Sequence, residues 1–338
     1  GLEGDRIAVH SKTHHCMVDG VSGSELIAEL LTSEPVEKVE TPRVWKPRPV
    51  PTSFALGAGE IARVARAPLG VGEALWKLAR DEGGARHQLG ERLRAAQRMV
   101  SDSSGTTPAP FNQPVGPYRR SDWMTLPIDR MRAVRRAVDC TLNDVVLATT
   151  ADALGRFLSR YRGIDVDGRR FTAMTPVSVR SEDESGTLGN RVSSWTVELP
   201  LAERDPLETL RRIHAQTEAL KASKQALGAE MLTQVTEWTG SGLLSLGSRL
   251  MNLGTPFNMV VTNVPGPRTP LYMLESQLLE IHPHVPLIGT LGLGLALFSY
   301  AGTLSWGFSA DWDLVPDLHD LVLEVEAAFE RLCKAAGV

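Results

Sequence analysis

His14-His15-Cys16-Met17-Val18-Asp19-Gly20 is the stretch around which the rest of the chain is arranged. On its amino side residues 6–13 alternate as a β-strand does, with Ile7, Val9, Ser11 and Thr13 on one face and Ala8, His10, Lys12 and His14 on the other. On its carboxyl side Ser22-x-x-Glu25 has the form of a capping box, and Val21 and Leu26 are placed as a hydrophobic staple, so a helix is predicted over 22–31. The histidines then lie on a short strand-to-helix connection clamped at both ends, where a side chain is exposed yet held still. Strand geometry sends His14 and His15 in opposite directions. If one imidazole faces a reaction centre, the other faces away and holds the loop.

An imidazole titrating near neutral pH suits general-base work, taking a proton from a hydroxyl or amine as it attacks. Asp19 would orient an imidazole or tie the loop to an arginine, and Gly20 lets the backbone turn without a Cβ. Three plainer readings compete. The histidines are polar residues at a strand end; or His14, His15 and Asp19 bind a metal, which the divergence of adjacent strand residues disfavours; or Asp19 and Gly20 are ordinary turn formers.

The chain has 338 residues, above the roughly 100–200 of a single domain, so two domains are expected. Its 42% hydrophobic and 22% charged content are globular values, and a net charge of -4 leaves no electrostatic footprint for nucleic acid. Cys16, Cys140 and Cys333 are too few and too widely spaced for a disulfide framework or zinc knuckle, and fit a reducing compartment. Cys16 reads as apolar filler rather than a nucleophile. Gly1-Leu2-Glu3-Gly4-Asp5 reads as a turn into a strand, with no basic-then-apolar leader, as though the sequence enters the middle of a domain.

Proline-rich segments at both ends of 33–118 (Pro35, Pro42, Pro47, Pro49, Pro51; Pro108, Pro110, Pro114, Pro117) read as linkers around helices at about 54–66, 71–80 and 87–100. Arg63, Arg66, Lys77 and Arg80 beside Leu56, Ile61, Val64 and Trp76 make a basic amphipathic face, which lies on a membrane surface or, more commonly, packs on its own protein. Beyond it come a strand at 123–126, a helix at 129–138, and a strongly periodic helix opened by the capping box Thr141-x-x-Asp144. Strands at 170–179 and 192–199 are followed by a helix at 205–224, a weakly charged stretch at 240–254 read as core, and a buried strand from 258 ending in Pro265-Gly266-Pro267. Residues 285–310 carry no charge, enough to resemble a membrane span of about 20 residues. Glycines 289, 292, 294, 302 and 307, with Thr and Ser between them, favour two antiparallel strands joined near Ala301-Gly302 instead. An amphipathic helix, Leu318–Ala336, closes the chain. His87, His214, His282, His284 and His319 share no spacing and read as surface or structural residues.

HHCMVDG resembles the HHxxxDG signature of the CoA-dependent acyltransferase superfamily, which includes chloramphenicol acetyltransferases and peptide-synthetase condensation domains. TLNDVVLA, TPVSVR, LGNRVS and TNVPGP follow in order and resemble its wax ester synthase/diacylglycerol acyltransferase branch; five ordered matches are far more specific than one. The resemblance implies an α/β (α+β), chloramphenicol acetyltransferase-like two-domain sandwich with mixed sheets flanked by helices. Residues 1–32 would be the remainder of the first half-domain, 33–118 a Pro-rich linker with amphipathic helices, and 119–338 the second domain.

The implied enzyme is an O-acyltransferase moving a long-chain acyl group from acyl-CoA to the hydroxyl of diacylglycerol or a long-chain alcohol. His15, or less so His14, would be the base, with Asp19 held by Arg180. Asn263, Ser194 or a backbone N–H would face the oxyanion. Asn143 and Asp144 match the branch's ND motif, although the capping box already explains Asp144. The thioester is activated, so no metal or cofactor is implied beyond acyl-CoA as co-substrate. The expected setting is cytoplasmic, with a peripheral place at a membrane or lipid-body surface as the alternative. Members of the branch carry most of a domain, about 100–150 residues, with a Pro-Leu-Trp motif ahead of the histidines, and this sequence starts after it. The first half would thus be incomplete, and the alternative is a truncated non-catalytic remnant or a lipid-binding subunit that needs a partner chain.

Overall fold

The computed structural model describes residues 2–13, 30–37, 46–47, 49–54, 80, 106–178, 192–225 and 257–338, with 177–178, 192–194 and 223–225 described by backbone alone. The histidine loop, most of the helix expected at 22–31, nearly all of the three helices expected between 54 and 100, Arg180 and the stretch 240–254 lie outside the described residues. By its internal contacts the chain divides into Gly1–Glu37 with Ser103–Val338, and Lys38–Asp102.

The first unit is built, in chain order, from β1 (Arg119–Pro127), α1 (Ile128–Val138), α2 (Leu142–Arg160), β2 (Phe171–Ser178), β3 (Val192–Leu199), α3 (Pro206–Gln225), β4 (Met259–Val264), β5 (Tyr272–Met273), β6 (Ser276–Gln277), β7 (Leu293–Tyr300), β8 (Thr303–Asp311) and α4 (Leu318–Ala336). Six strands form one mixed sheet in the order β1-β8-β7-β4-β2-β3, and β5 and β6 pair separately. Within the large sheet β2, β4 and β7 run parallel to one another, while β1, β3 and β8 run antiparallel to their neighbours.

The charge-free stretch is the β7–β8 hairpin, and its composition follows from burial on both faces. Leu293, Leu295 and Leu297 with Leu304, Trp306 and Phe308 join the main core, whereas Phe298 and Tyr300 face a second layer. Ala301 and Gly302 both have positive φ, 43° and 90°, the backbone of a two-residue hairpin turn whose twist matches the strands. At Gly307 a Cβ would fall 1.7 Å from the Pro283 carbonyl oxygen, so only glycine lets the extended chain before β7 lie against the sheet.

α2, α3 and α4 pack together over one face of this sheet. α2 is buried on almost every side, with Val145, Val146, Leu147, Ala151 and Leu154 inaccessible, as the central helix of a layered domain must be. Its buried Asp152 is matched by Arg156 (Oδ1 to Nε, 2.7 Å) and by Arg331 of α4 (Oδ2 to Nε, 2.7 Å), so the charge is paired where solvent is absent.

The opposite face is covered by irregular chain, including Phe257, Leu271, Val285 and Leu291. A buried amide fastens that layer. Asn258 donates from Nδ2 to the Thr107 carbonyl (2.8 Å) and to Asn112 Oδ1 (2.8 Å), and accepts the Thr172 N–H (2.8 Å). Asn112 returns a bond from Nδ2 to the Asn258 carbonyl at 2.7 Å.

Asp311 closes β8 in the same way. Its nearly inaccessible carboxylate accepts N–H bonds from Gly116 (2.7 Å), Asp313 (3.0 Å) and Leu314 (3.1 Å). Burial pushes its pKa up, but those three bonds and the Arg119 charge outweigh it and hold the group below the usual carboxylate value. The stabilisation it gives is complete above the unfolded carboxylate's pKa of about 4 and is lost as pH falls through the depressed folded value. Asp311→Asn is therefore expected to lower stability at neutral pH and to flatten the loss of stability below about pH 4, as urea unfolding at several pH values would show.

One sequence expectation fails in this unit. Residues 6–13 form no strand and are exposed, Ile7 at 85% and Val9 at 72%. Alternation defines a face, but a strand exists only through a neighbour's hydrogen bonds, and among the described residues nothing pairs with this one. The short β5–β6 hairpin, unannounced by any long apolar run, is held by Thr32, whose N–H and C=O bond both ways with Tyr272 (2.9 and 2.8 Å).

Candidate active site

Described residues of three of the five motifs lie at one edge of the sheet: 175–178 of TPVSVR, 192–193 of LGNRVS and all of TNVPGP. β2 and β4 are parallel, with Ala173 beside Met259, so TPVSVR leaves β2 at the edge where TNVPGP leaves β4. β3 returns antiparallel with Val192 opposite Ser178, so residues 192–193 of LGNRVS begin β3 at the same edge. Pro265-Gly266-Pro267 folds against the end of β7: the Gly266 N–H donates to Ser299 Oγ (3.1 Å) and the Ala301 N–H to the Pro267 carbonyl (3.0 Å). A Cβ on Gly266 would sit 2.3 Å from the Ser299 carbonyl oxygen, which accounts for the glycine between the two prolines. In open α/β sheets ligands bind outside the carboxyl ends of parallel strands, and this is such an edge.

Asn263 is the penultimate residue of β4, partly buried, and registers with Leu297 on the helix-facing side of the sheet. On the same side of β2, Thr175 is buried, and its hydroxyl has no hydrogen-bond partner among the described residues. The edge thus presents the Asn263 amide, with the buried Thr175 hydroxyl further inside the sheet on the same side. His14, His15, Asp19, Gly20, Arg180 and the Ser194 side chain lie outside the described residues.

Asn143 and Asp144 sit in the first turn of α2, in the helix layer. The capping box is formed: Asp144 N–H donates to Thr141 Oγ1 (3.2 Å), and Asp144 Oδ2 accepts the Thr141 N–H (2.8 Å). The fully buried carboxylate also accepts the Thr217 hydroxyl at Oδ1 (2.7 Å), and its Oδ2 lies 2.9 Å from His214 Nδ1. Burial pushes its pKa up, and the bonds from Thr141, Thr217 and His214 more than reverse that, so it stays ionised. Asp144 therefore joins α2 to α3 as well as capping α2. His214 belongs to this network, where sequence reading left it a surface or structural residue. The available signal was the one-turn spacing of His214 and Thr217 on an amphipathic helix.

The described cysteines are inert. Burial, aided by the Asp144 charge, pushes the Cys140 thiol up to about 11, and burial raises Cys333 as well. Among the other histidines, His282 stacks on Trp123 (4.9 Å between ring centroids) and His319 pairs with Asp122 (2.8 Å). Among the described residues no three His, Cys, Asp or Glu side chains gather as a metal site, and no helix is long and apolar enough to cross a membrane.

Comparison with known proteins bears on the family and the fold. The wax ester synthase/diacylglycerol acyltransferase catalytic domain matches residues 1–146, and the WS/DGAT C-terminal domain matches residues 188–333. A putative diacylglycerol O-acyltransferase of Mycobacterium tuberculosis is 31% identical over 341 residues, covering 99% of this chain and 73% of the relative. A second protein of that organism, a probable diacylglycerol O-acyltransferase, is 29% identical over 345 residues, covering 100% of this chain and 73% of its own. Among solved structures, the wax ester synthase/diacylglycerol acyltransferase of Marinobacter aquaeolei VT8 superposes with a TM-score of 0.64 at 22% identity, over 96% of this chain and 67% of that one, and so shares the mixed α/β fold. The chain belongs to the wax ester synthase/diacylglycerol acyltransferase family.

Proposed function

We propose that this chain transfers a long-chain acyl group from acyl-CoA to the hydroxyl of diacylglycerol or a long-chain alcohol, with His15 as general base. The observation that carries the reading is HHCMVDG at 14–20 in a chain of this family; the described residues of TPVSVR, LGNRVS and TNVPGP at one strand edge support it. In the proposed reaction the His15 imidazole takes the acceptor's hydroxyl proton as the oxygen attacks the thioester carbonyl. The tetrahedral oxyanion that forms is stabilised by fixed donors, for which the Asn263 amide is placed at the edge. One such donor contributes a rate factor of about 10²–10³. Collapse breaks the C–S bond, and the departing thiolate takes the proton back from the imidazolium, giving an ester and free CoA. His14 holds the loop, and Asp19, paired with Arg180, fixes its path, with Gly20 permitting the turn.

Product analysis tests the reading. Radiolabelled palmitoyl-CoA incubated with the chain and either dioleoylglycerol or hexadecanol is expected to yield labelled triacylglycerol or wax ester. Label recovered only as free palmitate with both acceptors would contradict it.

A further inference from the structure

Away from the strand edge, a cavity of about 340 Å³ opens between the last turn of α1 and the loop leading to α2, lined by Arg132, Arg135, Arg136, Asp139 and Cys140. Its shape follows from the local chain. Arg132, Arg135 and Arg136 are three and four residues apart and share one helix face. Asp139 then adopts a left-handed conformation (φ 52°, ψ 57°), and the N–H groups of both Asp139 and Cys140 turn back onto the Arg135 carbonyl. The chain doubles back beneath the arginines and leaves a concavity.

Arginines in a last helical turn are ordinarily explained by the negative end of the helix dipole. That accounts for Arg135 and Arg136 being there, but not for three guanidinium groups around one hollow that holds a single carboxylate, Asp139. Arg135 donates from Nε to the Cys140 carbonyl (3.2 Å), which fixes the plane of the group and leaves its two terminal nitrogens for another partner. Arg132 is engaged with Asp129 in an exposed pair at 2.9 Å. Arg136 has no partner among the described residues. The hollow's floor is Cys140, whose raised pKa keeps it an uncharged thiol.

We propose that this cavity binds a phosphate ester, gripped by the guanidinium groups of Arg135 and Arg136. A planar guanidinium presents paired N–H donors that match two phosphate oxygens, and charge-assisted bonds of this kind are the stronger ones. A phosphate ester can reach the cavity from two sources, the nucleotide portion of a CoA thioester or the head group of a phospholipid. Only the first source rests on the proposed transferase activity.

Equilibrium binding to the full chain tests the site without any turnover, so its failure is separate from failure of the proposed reaction. The probes are adenosine 3′,5′-bisphosphate and water-soluble dihexanoyl phosphatidic acid, each at low and at raised salt. The wild-type chain is expected to bind at least one of them, more weakly as salt screens the charges. The double variant Arg135→Ala/Arg136→Glu is expected to bind at least about tenfold more weakly. Both side chains are exposed, so the double variant should still fold, its unfolding midpoint lowered only slightly by the lost bond to the Cys140 carbonyl and the charge reversal at the end of α1. Arg136→Lys, which keeps the charge but loses the fork, should fall between. Binding of the nucleotide alone assigns the site to CoA, binding of the lipid alone to a phospholipid, and binding of both to the phosphate itself. Absence of binding to the wild type, or equal binding by the double variant, overturns the proposal.

Discussion

Asp144→Ala is expected to destabilise the chain by about 3 kcal/mol or more, since each buried polar group left without its partner costs about 1–3 kcal/mol. Three donors, the Thr141 N–H, the Thr217 hydroxyl and His214 Nδ1, lose their acceptor at once; α2 keeps the Thr141 hydroxyl cap but loses the reciprocal half of its capping box, and its contact with α3 loosens. Asp144→Asn should lose less, because the amide oxygen still accepts one bond while its NH₂ meets donors. Urea unfolding measures both. The same variants separate a structural ND motif from a catalytic one. If Asp144 works through the fold, the turnover of the folded Asn variant stays within a few-fold of wild type. A fall of about 10²-fold or more at unchanged stability would make it part of the chemistry.

Asn258→Leu is expected to cost about 2 kcal/mol or more, since it strips the partners from the Thr107 carbonyl and the Thr172 N–H and leaves Asn112 Oδ1 with the Ala109 N–H alone, and each buried unsatisfied group costs about 1–3 kcal/mol. The effect should be concentrated in the segment around 106–112, which Asn258 binds to the sheet, so limited proteolysis there should quicken more than cleavage elsewhere. Asn258→Asp should be no better tolerated. A carboxylate offers no hydrogen to Thr107 or Asn112 and sets a negative charge against their oxygens. Wild-type stability in either variant would show that the network contributes nothing net.

Local chemistry made much of this fold legible. The capping box at Thr141 and Asp144, the hairpin across Ala301-Gly302 and the helix Leu318–Ala336 are each specified by neighbours within a few residues, and each is present. Residues 6–13 show the converse, because their alternation says which face would be buried but supplies no neighbouring strand. Asn258, Asp144–His214 and Thr32–Tyr272 depend on partners far along the sequence. No periodicity encodes such pairs, and a single asparagine before a strand looks like any other. At the candidate site the motifs pick out strand ends, and the structure adds that the described residues of three of them lie at one edge, with Asn263 and the orphan hydroxyl of Thr175 on the same side of the sheet.

The most direct measurement of the proposed activity is release of free CoA thiol from palmitoyl-CoA, with and without diacylglycerol or hexadecanol, by the 338-residue chain and its His15→Ala variant. Release that depends on the acceptor and falls about 10²–10⁴-fold in a variant with unchanged unfolding is the expected result, the range for loss of a general base. Release independent of the acceptor, or unchanged in His15→Ala, would contradict it.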